Sequence, residues 1–484
     1  MSCSDPGSGA TETSQSGGPL TTGEGNDTTA GAPAATSNAD SNGATTASDD
    51  AGTTVASTGA PPIIFDVGQM DVEIVETSSG MPIGPGSCRQ SEAYGAAGAF
   101  PAFEDPAYAP FIDRAVLVMT SNALNQGHVL RVIDIDGPVP VPDLNHPAPI
   151  YTNPAWTSAA FGGSVFGITL DSSGNIYVAA TRVYGNTSTP GTIYRVDAIT
   201  AAVSVLAELP NQGPGLGNIN YDCHSETIYA SNHEDGRIYQ VDLQGNIVST
   251  YRHSTGSVTM GPANDPGEPD GLFTELGDRV WAVQSHAGRL YYSVWNEDSG
   301  RQSATEDNEI WSIAYIDDAG IPDAATAELE GVVPGLNNAI YSNPVSDISF
   351  AATGWMLAAE RTMLGDAQTL AHQSTTYEYQ QVNGLWQVQG TTYVVGELPN
   401  SSAGGVDHDL APDGYVWMTG DALDFYTPDV VYGVQGTPYG GGDITNSTLI
   451  DHDAEITQQD KTVQGDLEVP IPGDASPPPP PPQG

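Results

Sequence analysis

One unit recurs along this chain at intervals of about 60 residues: an apolar strand, a short polar turn and a second apolar strand. It is carried by GITLDSSGNIYVAAT (167–181), NINYDCHSETIYASN (218–232), WAVQSHAGRLYYSVW (281–295), SDISFAATGWMLAAE (346–360) and VDHDLAPDGYVWMTG (406–420). Each turn holds Gly, Asp, Ser or His, the residue types that short hairpins require. The first apolar residue after the turn is Ile176, Ile228, Leu290, Trp355 and Tyr415, giving spacings of 52, 62, 65 and 60. One more step back reaches Val116, inside the matching strand RAVLVMTSN (114–122).

A second pattern follows each copy: GHVLRVID (127–134), GTIYRVD (191–197), GRIYQVD (236–242), NEIWSIA (308–314), TYEYQQV (376–382) and DVVYGVQ (429–435). Its alternation of apolar and polar positions is that of a half-buried strand. A third strand is read at 202–209, 245–252, 324–332, 392–398 (TYVVGEL) and 447–454. A small sheet cannot bury both faces alone, and radial stacking of such sheets supplies the missing partner. The sequence therefore predicts an all-β chain, a β-propeller of six four-stranded blades, with seven as the alternative if 63–111 forms a blade of its own. The inner strand of the first blade has no match in the repeat.

Outside the repeats the composition changes. Residues 1–62 are Ser, Thr, Gly, Ala, Asn and Asp with no aromatic residue and no Lys or Arg. They cannot bury enough apolar surface to offset the entropy of ordering, so they read as a flexible tether. Residues 63–111 read as a lead-in packed on the propeller, 112–472 as the propeller and 473–484, with Pro477 to Pro482, as a solvated tail. The chain carries 12 Lys and Arg against 60 Asp and Glu, a net charge of −48, and Lys461 is its only lysine. No basic stripe exists to neutralise phosphates, which excludes nucleic acid as a partner, and there is no polybasic membrane patch. The charge suits a saline or cation-rich medium, or collective binding of Ca²⁺, although no EF-hand or Gly/Asp calcium repeat is present.

The three cysteines are Cys3, Cys88 and Cys223. A Cys at position 3 followed by a Ser/Thr/Gly/Ala linker resembles the mature end of a bacterial lipoprotein. Met1 and Ser2 precede it without a charged or apolar leader, a departure from that pattern. The resemblance implies acylation of Cys3 and an extracytoplasmic, outer-membrane or cell-surface location, secretion being the alternative. In that oxidising setting Cys88–Cys223 is a candidate disulfide, against two isolated thiols.

The G-x-I-Y-x-V-D and G-x-I-Y-V-A strands resemble those of the NHL and senescence-marker/gluconolactonase group of six-bladed propellers, over roughly 112–456. In such propellers the connections after the second strand ring one mouth of the axial channel. There this sequence places Thr181, His233, Trp295, Glu360 and Gly420, then Arg182, Glu234, Asn296, Arg361 and Asp421. Asp347, Asp407 and His408, from the connections into the inner strands, are expected on the same face. Two functional classes follow. A binding module would present an acidic mouth edged by Trp281 and Trp295, with Glu234 and Arg361, to a small molecule, glycan or surface protein, as a monomer. An enzyme resembling the gluconolactonases would hold a divalent cation, here Ca²⁺, on Asn296, Glu360, Asp407 and Asp421, polarising a lactone carbonyl and activating water. A propeller lyase would instead use His233 or His408 as general base. Against these stand plainer readings: His233 as a hydrogen-bonding loop residue and Glu360–Arg361 as a local ion pair. No G-x-S-x-G, H-E-x-x-H, C-x-x-C or phosphate-loop motif is present.

Overall fold

Each repeat folds into an antiparallel sheet because its strands alternate inward and outward side chains while their turns carry Gly, Asp or Asn. A computed structural model describes residues 98–123, 127–136, 142–297, 306–334, 341–351, 354–390, 393–398, 400–409, 414–425, 430–453 and 462–470. The chain divides into units 1–77 and 78–484, and every described residue belongs to the second. The expected tether, the strand-like 63–77, Cys3, Cys88 and the Pro-rich tail lie outside the described residues.

The first blade contains β1 (Val116–Ala123), β2 (Leu130–Asp134) and β3 (Ile150–Tyr151). The second contains β4 (Val165–Leu170), β5 (Ile176–Ala180), β6 (Thr192–Val196) and β7 (Val203–Glu208). The third has five strands: β8 (Leu216–Asp222), β9 (Thr227–Asn232), β10 (Arg237–Asp242), β11 (Ile247–Arg252) and β12 (Ser257–Met260). The fourth holds β13 (Arg279–His286), β14 (Arg289–Trp295), β15 (Glu309–Ala314) and β16 (Glu328–Val332). The fifth holds β17 (Val345–Phe350), β18 (Met356–Glu360), β19 (Thr376–Val382) and β20 (Leu385–Val388). The sixth holds β21 (Ser402–His408), β22 (Tyr415–Asp424), β23 (Val431–Pro438) and β24 (Thr448–Asp451).

The missing inner strand of the first blade is β25 (Thr462–Glu468), from the far end of the chain. It pairs antiparallel with β1, Val118 opposite Glu468 and Ala123 opposite Thr462, so the two ends of the repeat array are hydrogen-bonded into one sheet. That closure makes a ring of six blades. Its mark in the packing is six apolar clusters, one between each pair of neighbouring blades, including one that joins the sixth blade to the first through Trp417, Val434, Leu117 and Leu467. A linear stack would lack that sixth interface.

One strand expectation fails. TYVVGEL (392–398) is not the outer strand of the fifth blade; LWQV (385–388), paired with β19 through Trp386–Gln381, takes that place. Tyr393 makes single bridges to Thr376 and Gly442 and donates its hydroxyl to Glu378 at 3.3 Å. The two-residue turn Asn383-Gly384 has both φ angles positive (56° and 80°), which matches the tight hairpin that sends the chain straight back. Residues 98–111 pack on the rim of the first two blades. Phe103 meets Tyr108, Tyr151 and Trp156 at centroid distances of 4.8, 5.8 and 5.3 Å. Such pairs contribute about 0.5–1.5 kcal/mol each beyond burial.

Candidate functional site

The inner strand of each blade is a free sheet edge, and its unpaired N–H groups must find acceptors. The ring meets this need with side chains from the preceding blade. Every inner strand carries a triplet of channel residue, apolar residue and channel residue: Gly167-Ile168-Thr169, Asn218-Ile219-Asn220, Ala282-Val283-Gln284, Asp347-Ile348-Ser349, Gly405-Val406-Asp407 and Asp466-Leu467-Glu468. In the upper ring Asp347 accepts the Val406 N–H (2.8 Å) and Asp466 the Ile168 N–H (3.2 Å). In the lower ring Thr169 accepts from Tyr221 N–H (3.1 Å), Asn220 from Ser285 N–H (2.8 Å) and Asp407 from Val469 N–H (2.8 Å). Glycine at 167 and 405 lets neighbouring inner strands touch. A Cβ at Gly405 would lie 2.8 Å from the Asp466 Cα and the Leu467 N.

Four carboxyls meet inside this channel. Asp347 and Asp466 share a hydrogen bond, as do Asp407 and Glu468. Two carboxylates can do so only by keeping a proton between them. Burial, and after it repulsion among the four, holds Asp466 and Glu468 well above the carboxylate range. Burial raises Asp347 to about 7 and Asp407 to about 6. Asp347, Asp407 and Asp466 act as acceptors for the ring's own backbone.

Above them, at the end where the second strands finish, the channel is filled. Phe166, Val183, Trp281, Trp295 and Met363 form a buried cluster flanked by Tyr184, Phe273 and Leu276. Tyr184, from the second blade, stacks on Phe166 (5.2 Å) and donates across the axis to the Ala403 carbonyl of the sixth blade at 3.4 Å. Arg361 of the fifth blade lies over the same Tyr184 ring at 5.2 Å. Arg279 lies 4.6 Å over Trp295 and 4.9 Å over Phe273, and pairs with Asp366 at 2.8 Å.

The sequence-derived candidates are thereby placed. Trp281 and Trp295 do not edge an open mouth; both are 0% exposed inside the plug. His233 is equally buried, edge-on to Trp281 at 5.1 Å, with neither ring nitrogen hydrogen-bonded. Burial, and then the Arg279 charge, lowers its pKa to about 3, so it is neutral. Glu234 is a loop anchor whose carboxylate accepts N–H groups of Gln212 (2.6 Å), Gly213 (3.2 Å) and Gly271 (2.5 Å). Asn296 is engaged with Asn308 and the Asp307 carbonyl, both at 3.0 Å. Glu360 and Arg361 form no ion pair with each other. Glu360 accepts the Thr375 N–H at 2.9 Å and is raised well above its usual range by burial and secondarily by Glu297. Arg361 pairs with Asp421 at 2.6 Å, and Asp421 also accepts the Gln464 N–H at 2.8 Å.

Asp407 and His408 are not on this face. They pair with Trp417 and Val416 near the hairpin end of their strand. Inner strands enter from the mouth and run toward the hairpins, which carries both residues to the far side. His408, its Nδ1 3.2 Å from Ser349 Oγ, is lowered by burial to about 3. Asn296, Glu360, Asp407 and Asp421 therefore do not converge, and each is committed to protein groups. They do not fit a shared Ca²⁺, and no step is derived through one. Among the described residues the groupings with metal-ligand spacing lie elsewhere, at Asp451, His452 and Asp453 and at Glu234, Glu268 and Asp270.

Sequence reasoning missed Tyr184, Gln464, Asp466 and Glu468. The triplet is the signal for Asp466 and Glu468, but it is legible only when the inner strands are aligned, and the sixth copy stands alone near the C-terminus. Cys223 is disulfide-bonded.

No protein-family model matches the chain, and no curated protein matches it. Among solved structures it is similar to the periplasmic gluconolactonase PpgL of Pseudomonas aeruginosa, at 13% identity and TM-score 0.39, covering 74% of this chain and 99% of that one. It is similar too to a chain of a nidogen/laminin complex (10%, TM-score 0.39, 74% and 98%) and to a Bacteroides caccae protein of unknown function (10%, TM-score 0.40, 73% and 98%).

Proposed function

We propose that this protein is an extracytoplasmic binding module, a propeller held from a surface by the segment that begins at Cys3, and not a metal-dependent hydrolase. The observation that carries the reading is the state of the mouth. Glu360 and Asp421 are committed to backbone N–H groups or to Arg361, and His233 is buried and neutral beside an aromatic plug. A general base needs access to a proton on substrate, and a metal needs carboxylates free to ligate. A plugged channel end with Glu360, Asp421 and His233 withdrawn from solvent favours recognition over catalysis. The tether rests on sequence, and a fatty-acyl mass on the Cys3 peptide is its check.

The test is turnover. Purified protein incubated with δ-valerolactone and gluconolactone is expected to leave hydrolysis at the uncatalysed rate, and Ca²⁺ to leave the melting temperature unchanged. Turnover that a chelator abolishes would overturn the binding reading in favour of the hydrolase.

A further inference from the structure

The outer edge of the sixth blade holds a group of side chains that the mouth does not use. β24 ends at Asp451, and His452 and Asp453 follow it. One ligand-type atom from each of these three side chains lies within 4.8 Å of the other two. Asp451 is 1% exposed and His452 3%, while Asp453 reaches solvent. The group at Glu234, Glu268 and Asp270 has the same spacing, but there the Glu234 carboxylate already accepts three backbone N–H groups.

The surroundings of His452 are those of a metal ligand. Its Nδ1 faces the Tyr432 carbonyl at 2.9 Å and Asp451 Oδ1 at 3.2 Å. Its Nε2 lies 3.2 Å from Thr462 Oγ1, a hydroxyl able to accept as well as donate. The ring can therefore carry its proton on Nε2, given to Thr462, and turn the Nδ1 lone pair toward a cation among the oxygens. Metal-bound histidines are oriented in this way, by a hydrogen bond from the other nitrogen. Asp451 supplies a second, separate sign. Its Oδ1 takes the Asp453 N–H at 3.4 Å, whereas the buried Oδ2 has no hydrogen-bond partner. A buried carboxylate oxygen is costly to leave in that state, and a cation completes it.

An ion needs no separate cavity, because the gap between its ligand atoms is the site. Ligands about 2.0–2.2 Å from a tetrahedral ion stand roughly 3.3–3.6 Å apart. The 3.2 Å between Nδ1 and Oδ1 is already close to that. The exposed Asp453 gives the side from which an ion enters and on which water fills the remaining position. An imidazole with two carboxylates suits Zn²⁺ and similar small transition metals, whereas Ca²⁺ asks for six to eight oxygens.

We infer that Asp451, His452 and Asp453 form a binding site for one small divalent transition-metal ion of the Zn²⁺ class. Thr462, which His452 touches, is the first residue of β25, so the ion braces the outer strand of the sixth blade against the strand that closes the ring. None of the three ligands belongs to the mouth, and the inference is independent of the binding-module reading.

The experiment strips the full chain with a chelator and titrates it with ZnCl₂ by calorimetry, with CaCl₂ alongside and Co²⁺ as a spectroscopic stand-in. One Zn²⁺ per chain, a melting temperature raised by Zn²⁺ and not by Ca²⁺, and the visible absorption of tetrahedral Co²⁺ are expected. Asp453→Ala should weaken Zn²⁺ binding about tenfold or more and abolish the Co²⁺ bands. Because Asp453 is exposed, that variant should melt like wild type without metal. His452→Gln is the second arm, with the same loss, and Glu268→Gln/Asp270→Asn is the control that should change neither readout. Absence of Zn²⁺ binding would overturn the inference. So would Zn²⁺ held no more tightly than Ca²⁺, or binding and Co²⁺ bands left unchanged in Asp453→Ala or His452→Gln, since the ions would then sit on the diffuse acidic surface. Chelator-sensitive lactone turnover that Asp453→Ala leaves intact counts against the binding-module reading alone.

Discussion

The strand that closes the ring carries two of the four channel carboxyls, and this makes closure sensitive to pH. Asp466 and Glu468 lie on β25, and their hydrogen-bonded partners Asp347 and Asp407 lie on the fifth and sixth blades. Each pair keeps a proton in the folded ring that an unfolded chain releases near pH 4. Raised carboxyl pKa values mean that the native state binds more protons, so this contribution is fully present below about pH 4 and is lost as pH rises through the folded values. Buried histidines act in the opposite direction. His233 and His408 fall to about 3 and His286 to about 4, so the native state binds fewer protons than the unfolded chain below the ordinary histidine value of about 6.5. Between about pH 4 and 6.5 the two sets oppose each other; beyond about pH 6.5 the histidines no longer contribute, the raised carboxyls remain to titrate, and stability should fall.

With two protons held by the closing strand, the decline is roughly 2.7 kcal/mol per pH unit until the pairs ionise. Glu360, raised beside Glu297, adds to it. Repulsion among the surface acids would also weaken the fold with pH, but about 1 M salt shortens its range to roughly 3 Å and leaves buried pairs nearly untouched. The assay is urea denaturation at about 1 M salt and pH 6.5, 7.5 and 8.5, with Glu468→Gln beside wild type. Glutamine binds no proton, so the variant's slope should be flatter by about 1.4 kcal/mol per unit. A wild-type stability that is level or rising over this range would refute the argument, and so would an identical slope in the variant.

Two further outcomes test the ring. Gly405→Ala should destabilise by several kcal/mol in thermal melts and leave β25 amides unprotected in hydrogen exchange, because its Cβ would sit 2.8 Å from the Asp466 backbone at the closing interface; near-wild-type protection would show that the inner strands are less closely apposed. Cys223 is disulfide-bonded, and non-reduced peptide mapping is expected to join it to Cys88, the pairing read from the sequence; a Cys88 peptide found alone as a free thiol would exclude it.

The repeat was legible because blade strands answer to a local rule. Alternation at Ile176-Tyr177-Val178 or Ile238-Tyr239-Gln240 is dictated by which side chain meets the next blade, and that rule survives in the sequence whatever the loops do. TYVVGEL misled for the same reason. It is as strand-like as LWQV, but Asn383-Gly384 returns the chain at once, and the nearer segment takes the free edge of β19. Closure was not legible, since nothing local distinguishes Thr462–Glu468 from another outer strand; its partner β1 lies more than three hundred residues away.

The site failed to appear for a related reason. Reading outward from the second strands assigned His233, Glu360 and Asp421 to a common mouth and treated their chemistry as available to solvent. Availability is decided by what spans the axis, and the spanning groups, Tyr184, Phe166, Trp281 and Arg361, come from four elements whose convergence only the ring creates. The same holds for the acids. Asp407 is two positions from Gly405, so its strand passes from the close contact at the closing interface to the lower ring before reaching His408, and both residues leave the mouth. In a radial fold a carboxylate's depth along the inner strand therefore matters more than its nearness in sequence to a loop. A deep one is claimed by the next blade's N–H, as Asp347, Asp407 and Asp466 are, while a residue at the strand's outer end, such as Arg361 or Gln464, keeps valences to spare.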